Sequence, residues 1–184
     1  MIGALYVDPK GPYPGLGLDC FDKDRDARTY TGPGPVIAHP PCGPWGKLRY
    51  FCTKQDPDLA PHAVEMVRRF GGVLEHPEGS LLWERCSLPH PFHSPPLLVG
   101  REWALRVDQV RWGHRALKRS WLFFVGVDPR ALPPVPPPRA PTHVLDDKSW
   151  NPAASRGLKH LSKKYRHLTP PDFARWLVAA VEST

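Results

Sequence analysis

The sequence predicts an α/β domain built on a short, mostly parallel sheet with proline-rich loops. Three observations carry that prediction. Apolar runs of strand length at 3–8, 36–39 and 72–77 each stop at a proline or a Gly/Pro turn. The second run leads through a helical stretch to the third, and a strand–helix–strand passage implies parallel pairing. The 25 prolines cluster at 33–44, 89–96 and 133–141, where missing amides rule out helix interior and central strand. With 41% apolar residues and seven tryptophans, these clusters read as ordered loops, because such a chain has enough to bury.

The elements follow in order. "GALYVD" (3–8) is a short buried strand, and the Gly/Pro loop "PKGPYPGLGLDC" follows it. "DKDRDARTY" (22–30) is a short helix or a turn. "VIAH" (36–39) is the next strand. "DPDLAPHAVEMVRRFGG" (56–72) is the clearest internal helix: Asp58 can cap it, Pro61 falls in its first turn, and Gly71 and Gly72 end it. Its apolar stripe is Ala63, Val64, Val67 and Phe70. "GVLEHP" (72–77) is the third strand, cut off right after Glu75-His76.

"SLLWERC" (80–86) is a helical turn. Residues 104–111 and 120–127 read as two strands joined by a basic connector, with antiparallel pairing open. Residues 129–150 form a Pro-rich surface strap. Residues 151–184 carry a basic segment and a C-terminal helix packed on the core. Thr169 is that helix's cap, Pro170 its first residue, and Asp172 lies in its acidic first turn. Phe173, Ala174, Leu177, Val178 and Val181 form its stripe. At 184 residues, the chain suits a single domain over 1–184, and no internal repeat is visible.

No apolar run approaches the roughly 20 residues of a membrane span, and no basic-then-apolar leader is visible, so a cytoplasmic protein without a membrane partner is expected. Cys20, Cys42, Cys52 and Cys86 have irregular spacings without a CxxC pair, which suits free thiols. The formal charge of +7 favours an anionic partner such as nucleic acid or a nucleotide. Cys86, His90 and His93, joined by Cys42 or Cys52, would make a zinc set only if distant segments met; no metal is expected.

In parallel sheets, ligands bind beyond the carboxyl ends of the strands. Cys42 and Glu75 both lie just past such ends. Taken by itself, Cys42 is a nucleophile or a small buried residue, and Glu75 a site acid or a surface charge. His39 and His76 line a site or simply bond backbone carbonyls. The segments "HRALKRSW" and "LKHLSKKYRH" are solvated faces or nucleic-acid contacts.

Pro40-Pro41-Cys42, Glu75-His76 and Gln109-Val110-Arg111, followed by "RSWLFFVG", stand in the order of the core motifs of the cytosine-C5 DNA methyltransferases. The sequence resembles that family, and especially its small phage-encoded members. The resemblance implies a single compact Rossmann-like, methyltransferase-like domain and a pyrimidine-base-modifying transferase, in the host cytoplasm if phage-encoded. Cys42 would attack C6 of cytosine as a thiolate. Glu75 would assist at N3 as an acid whose pKa burial raises. His39, Pro41, His76, Gln109, Arg111, His114 and Arg115 would hold the base or a phosphate, and the base would be flipped out or single-stranded.

S-adenosylmethionine would be the methyl donor, at Asp8, Gly15, Gly17 and Asp19, with Asp22 the other acidic choice. That half is reduced, since no full helix and second strand fit between residues 8 and 36. No target-recognition domain is recognisable, and His76 stands where the family has Asn. Two alternatives stay open. One is a base- or nucleotide-modifying enzyme with the same Cys/Glu pocket but without S-adenosylmethionine. The other is a non-enzymatic phage factor binding nucleic acid or a host protein.

Overall fold

The computed structural model of the chain describes residues 1–46, 49–52, 55–93, 96–145 and 157–183. The end of the strap and the start of the basic segment, 146–156, lie outside the described residues. In chain order the elements are β1 (Gly3–Leu5), β2 (Asp19–Phe21), β3 (Val36–Ala38), α1 (Leu59–Phe70), β4 (Gly72–Pro77), α2 (Leu82–Arg85), β5 (Glu102–Asp108), β6 (Arg119–Val125), β7 (His143–Val144), β8 (Lys159–His160), α3 (Lys163–Arg166) and α4 (Pro171–Glu182).

Six strands form one sheet in the order β2-β1-β3-β4-β6-β5. The pairs β1–β2, β1–β3 and β3–β4 are parallel. β6 runs antiparallel to both β4 and β5 and so closes the sheet with a hairpin. The expected strand–helix–strand passage is β3–α1–β4. The two strands read over 104–111 and 120–127 begin two and one residues earlier and end three and two earlier, and their pairing, left open by the sequence, is antiparallel. A separate two-stranded ribbon pairs β7 with β8.

Alternation of side chains across the strands splits the core in two. Ile37, Val73, Leu122 and Phe124 face α4, meeting Phe173, Leu177 and Val181. Val36, Ala38, Leu74, Phe123 and Val125 face α1, meeting Ala63, Val64 and Val67. Helices therefore cover both faces, as strands apolar on both sides require. The join between α1 and β4 depends on Gly72, whose φ is 110° and where a Cβ would overlap the Val36 carbonyl oxygen.

Several expectations are corrected. β1 stops at Leu5 because Tyr6 turns left-handed, with φ 58°, an unusual conformation for a bulky residue. A second strand does fit between residues 8 and 36: β2 needs only three residues. No full helix joins it there, only 3-10 turns at Pro14–Leu16 and Ala27–Thr29. Asp58 makes no side-chain cap on α1. α4 starts at Pro171 with Pro170 in the capping position and no side-chain cap, so Thr169 lies one residue too early. Val178 is only partly buried, whereas Trp176 and Ala180 join the core.

The strap crosses this surface without regular structure over 132–142. The Trp176 indole donates to the Pro133 carbonyl (3.0 Å) and the Arg111 guanidinium to the Pro136 carbonyl (2.7 Å). No helix among the described residues is long and apolar enough to cross a membrane.

Candidate active site

The chain leaves β1 for β2 on one side and later crosses to β3 on the other. In open α/β sheets such a reversal opens a crevice beyond the carboxyl ends of the strands. His39, Pro40, Pro41 and Cys42 leave β3 at that end. The His39 amide donates to the Leu5 carbonyl (3.0 Å), and the amides of Trp45 and Gly46 both donate to the Cys42 carbonyl, at 3.1 and 2.8 Å, closing a 3-10 turn and an α-turn. The Leu81 amide donates to the Trp45 carbonyl (3.0 Å) and the Trp45 indole to the Pro57 carbonyl (3.1 Å). The turn carrying Cys42 is thus pinned to the lead-in of α1 and to the turn after β4. Cys42 itself is exposed.

Glu75 shares the phase of Val73 on β4 and faces the α4 side. It is 8% exposed and sits in a hydrogen-bonded chain. The His39 imidazole bonds Oε2 through Nδ1 (3.1 Å) and the Tyr13 hydroxyl through Nε2 (2.6 Å). Oε1 accepts from the Gln109 amide (3.0 Å) and from the Ser120 hydroxyl. Gln109 also donates to the Ser120 oxygen (2.8 Å). A carboxylate offers about four acceptor positions. Three are taken by groups of the chain itself, one on Oε2 and two on Oε1.

This geometry corrects the expected protonation of Glu75. Burial does push its pKa up, but the His39 hydrogen bond, the Lys118 charge and the Ser120 hydroxyl outweigh it and hold the carboxyl well below the usual range. Glu75 is therefore a carboxylate, an acceptor rather than a resting acid. Burial raises the Tyr13 phenol far above its ordinary value, with the Glu75 charge adding to it, so Tyr13 stays protonated and can donate to His39.

Cys42 lies within electrostatic reach of the same carboxylate. Although the residue is exposed, protein crowds the sulfur enough that desolvation raises its pKa; Glu75 adds to this and Lys118 opposes it. Lys118 shares the phase of Ser120 two residues before it. Its ammonium donates to the carbonyls of His167 and Leu168 at 3.4 and 3.2 Å. The segment before α4 thereby closes one side of the site.

The remaining expected residues divide. His76 faces the opposite side of the sheet from Glu75, fully buried, with Nδ1 on the Ser80 hydroxyl (2.7 Å). Burial pushes its pKa down to about 4, and Nε2 faces the Pro41 carbonyl without reaching hydrogen-bond geometry. Its place beneath the turn corrects the expectation of a base contact, and Pro41 presents that carbonyl to His76. Gln109 belongs to the Glu75 chain. Arg111 is spent on the strap.

His114 is 6% exposed and bonded through Nδ1 to Ala116, its pKa lowered by burial, so it is no open rim residue either. Arg115 is exposed, 5.6 Å from the centre of the Tyr165 ring. Tyr13, Ser120 and Lys118 escaped the sequence reading. Only the period-two phase of Lys118 and Ser120 with Leu122 signalled them.

The residues expected to hold S-adenosylmethionine do not fit it. Asp19 opens β2, at the end opposite the crevice, and pairs with Arg25. Asp22 follows β2 but caps its own turn, accepting the amides of Asp24 and Arg25 at 2.8 and 2.9 Å. Asp8 accepts the Lys10 amide (2.8 Å). A Cβ on Gly15 or Gly17 would meet nothing within 4 Å, but no full helix follows to aim its amides there. Among the described residues no group of three His, Cys, Asp or Glu could hold a metal ion. No protein-family model, curated protein or solved structure matches the chain.

Proposed function

We propose that the chain is a pyrimidine-base-modifying enzyme that works by covalent addition of Cys42 to C6 of a cytosine ring, on a shortened Rossmann-like sheet. One observation carries the reading. The Cys42 turn leaves β3 beside the neighbouring parallel strand β4, which carries the buried Glu75 carboxylate, and the thiol feels the charges of both Glu75 and Lys118. A thiol can add to C6, and an ionised acceptor suits the 4-amino group and, once formed, the N3–H of the adduct. The thiol's proton leaves sulfur as the S–C6 bond forms, and the ring gains one at N3. Glu75 steadies that charge as an acceptor.

Nucleic acid suits the surroundings. Tyr50 and Phe51 are 77% and 84% exposed in the 3-10 turn after the Cys42 turn, with the Arg49 guanidinium 4.3 Å from the Tyr50 ring centre. Such arrangements stack bases and hold phosphate. The likeness to cytosine-C5 methyltransferases then concerns the base-binding half. The poor fit of Asp8, Gly15, Gly17 and Asp19 favours the alternative that keeps the Cys/Glu pocket and works without S-adenosylmethionine.

The test is an oligonucleotide carrying 5-azacytosine, whose ring nitrogen at position 5 takes up the proton after the thiol adds so that no group donor is needed, presented single-stranded and in a duplex. A covalent complex mapped to Cys42 is expected, and none with Cys42→Ser. DNA binding without any adduct would replace this reading with a non-enzymatic one.

A further inference from the structure

We propose that Cys52 is the resolving partner of Cys42, so that the two thiols close a reversible disulfide that caps the nucleophile. The chain turns back on itself after Cys42. The Arg49 amide donates to the Gly46 carbonyl (3.2 Å) and the Cys52 amide to the Arg49 carbonyl (3.0 Å). This brings the Cys52 sulfur against the backbone of Gly43, where a Cβ would overlap both that sulfur and Gln55 Oε1. Gln55 Oε1 accepts the Gly43 amide (3.0 Å) and the Cys52 thiol (3.5 Å), tying the returning segment to the Cys42 turn. The Cys52 sulfur thus lies beside the residue that follows Cys42, near enough for the two thiols to bear on each other's charge. Glycine at 43 is what admits it.

Cys42 is exposed and Cys52 partly so, which leaves both open to a small disulfide such as oxidised glutathione. The Cys42 thiolate attacks one sulfur of that disulfide, forms a mixed disulfide and releases one glutathione thiolate. Cys52 then attacks the Cys42 sulfur and releases the second. Two protein thiols are oxidised and one glutathione disulfide is reduced to two thiols. Burial raises the Cys42 thiol, so the first step quickens as pH rises. Closure removes the group that would attack a base, and a dithiol restores it. The exchange takes place whatever Cys42 attacks in its reduced state, so it stands or falls apart from the reading above.

The experiment treats the full chain with oxidised glutathione, quenches with alkylating reagent, and maps disulfides by mass spectrometry without reduction. The expected product is a Cys42–Cys52 linked peptide, cleared by dithiothreitol. Cys52→Ser should stop at glutathione on Cys42. Gly43→Ala should slow closure by about tenfold relative to the first step, as an overpacking penalty at the low end of its usual range would. Mixed disulfide persisting on Cys42 in the unsubstituted chain would overturn the proposal. So would pairing of Cys42 with Cys20 or Cys86, or no reaction at Cys42 while Cys20 or Cys86 reacts.

Discussion

Replacing Glu75 by Gln removes the charge on which the buried chain converges. Three groups, His39, Gln109 and Ser120, then face an amide with one acceptor oxygen. Losing charge-assisted hydrogen bonds at about 1.5–3 kcal/mol each, partly offset by the remaining acceptor, gives a destabilisation of about 2–5 kcal/mol at pH 7. The pH dependence is more specific. Glu75 has a folded pKa well below its ordinary value of 4.5, so its stabilisation is fully present above that value. It is lost as pH falls below it, because the unfolded state takes up the proton first.

At one full proton of difference, stability falls by about 1.4 kcal/mol per pH unit, or about 2 kcal/mol by pH 3. Other carboxylates contribute to both proteins and cancel. Urea unfolding from pH 6 to pH 3 should therefore show the parent losing about 2 kcal/mol more than Glu75→Gln. Ser120→Ala, which keeps the charge and drops one donor, should fall between them. Parallel stability curves for parent and Glu75→Gln would refute the assignment of Glu75 as a buried carboxylate.

Other consequences follow from the same geometry. Alkylation of Cys42 by iodoacetamide, followed by peptide mass spectrometry, should rise with pH past the ordinary thiol pKa of about 8.5; Lys118→Gln should move that profile further up, and an unmoved profile would remove Lys118 from the site. Gly72→Ala forces a Cβ into the Val36 carbonyl oxygen at a positive φ and should cost about 3 kcal/mol or more; a soluble variant with parental thermal stability would contradict the β3–β4 approach. Arg111→Ala frees the Pro136 carbonyl and should speed limited proteolysis within 132–142 while changing global stability by only about 1 kcal/mol.

What the sequence revealed was whatever a short window can hold. The strands ending at Ala38 and Pro77 were visible because apolar runs meet prolines near there. α1 and α4 were visible because Ala63, Val64 and Val67, and Phe173, Leu177 and Val181, recur at helical spacing. β2 stayed hidden because "DCF" is three residues among polar neighbours, held by strand pairing alone. Thr169 looked like a cap because the local pattern fits one, yet helix geometry begins at Pro171.

The site was half legible. Cys42 follows β3 and could be placed, whereas Glu75, expected just past a strand end, lies within β4 opposite Leu122. The groups that set their protonation come from across the sheet: Tyr13 from a loop, Ser120 from β6, Lys118 from the residue before it, and the carbonyls of His167 and Leu168 from the chain before α4. Burial of Glu75 suggested a raised pKa, and only the partners show why it falls instead. Glu75 and His76 are adjacent in sequence yet face opposite sides of the sheet, so a two-residue motif there does not make a two-residue site.

The most direct test is a crystal structure of the protein trapped on a 5-azacytosine oligonucleotide. A bond from the Cys42 sulfur to C6, with the 4-amino group or N3 within hydrogen-bond distance of Glu75 Oε2, is the predicted result. A ring seated elsewhere, or joined to Cys42 but turned away from Glu75, would contradict it.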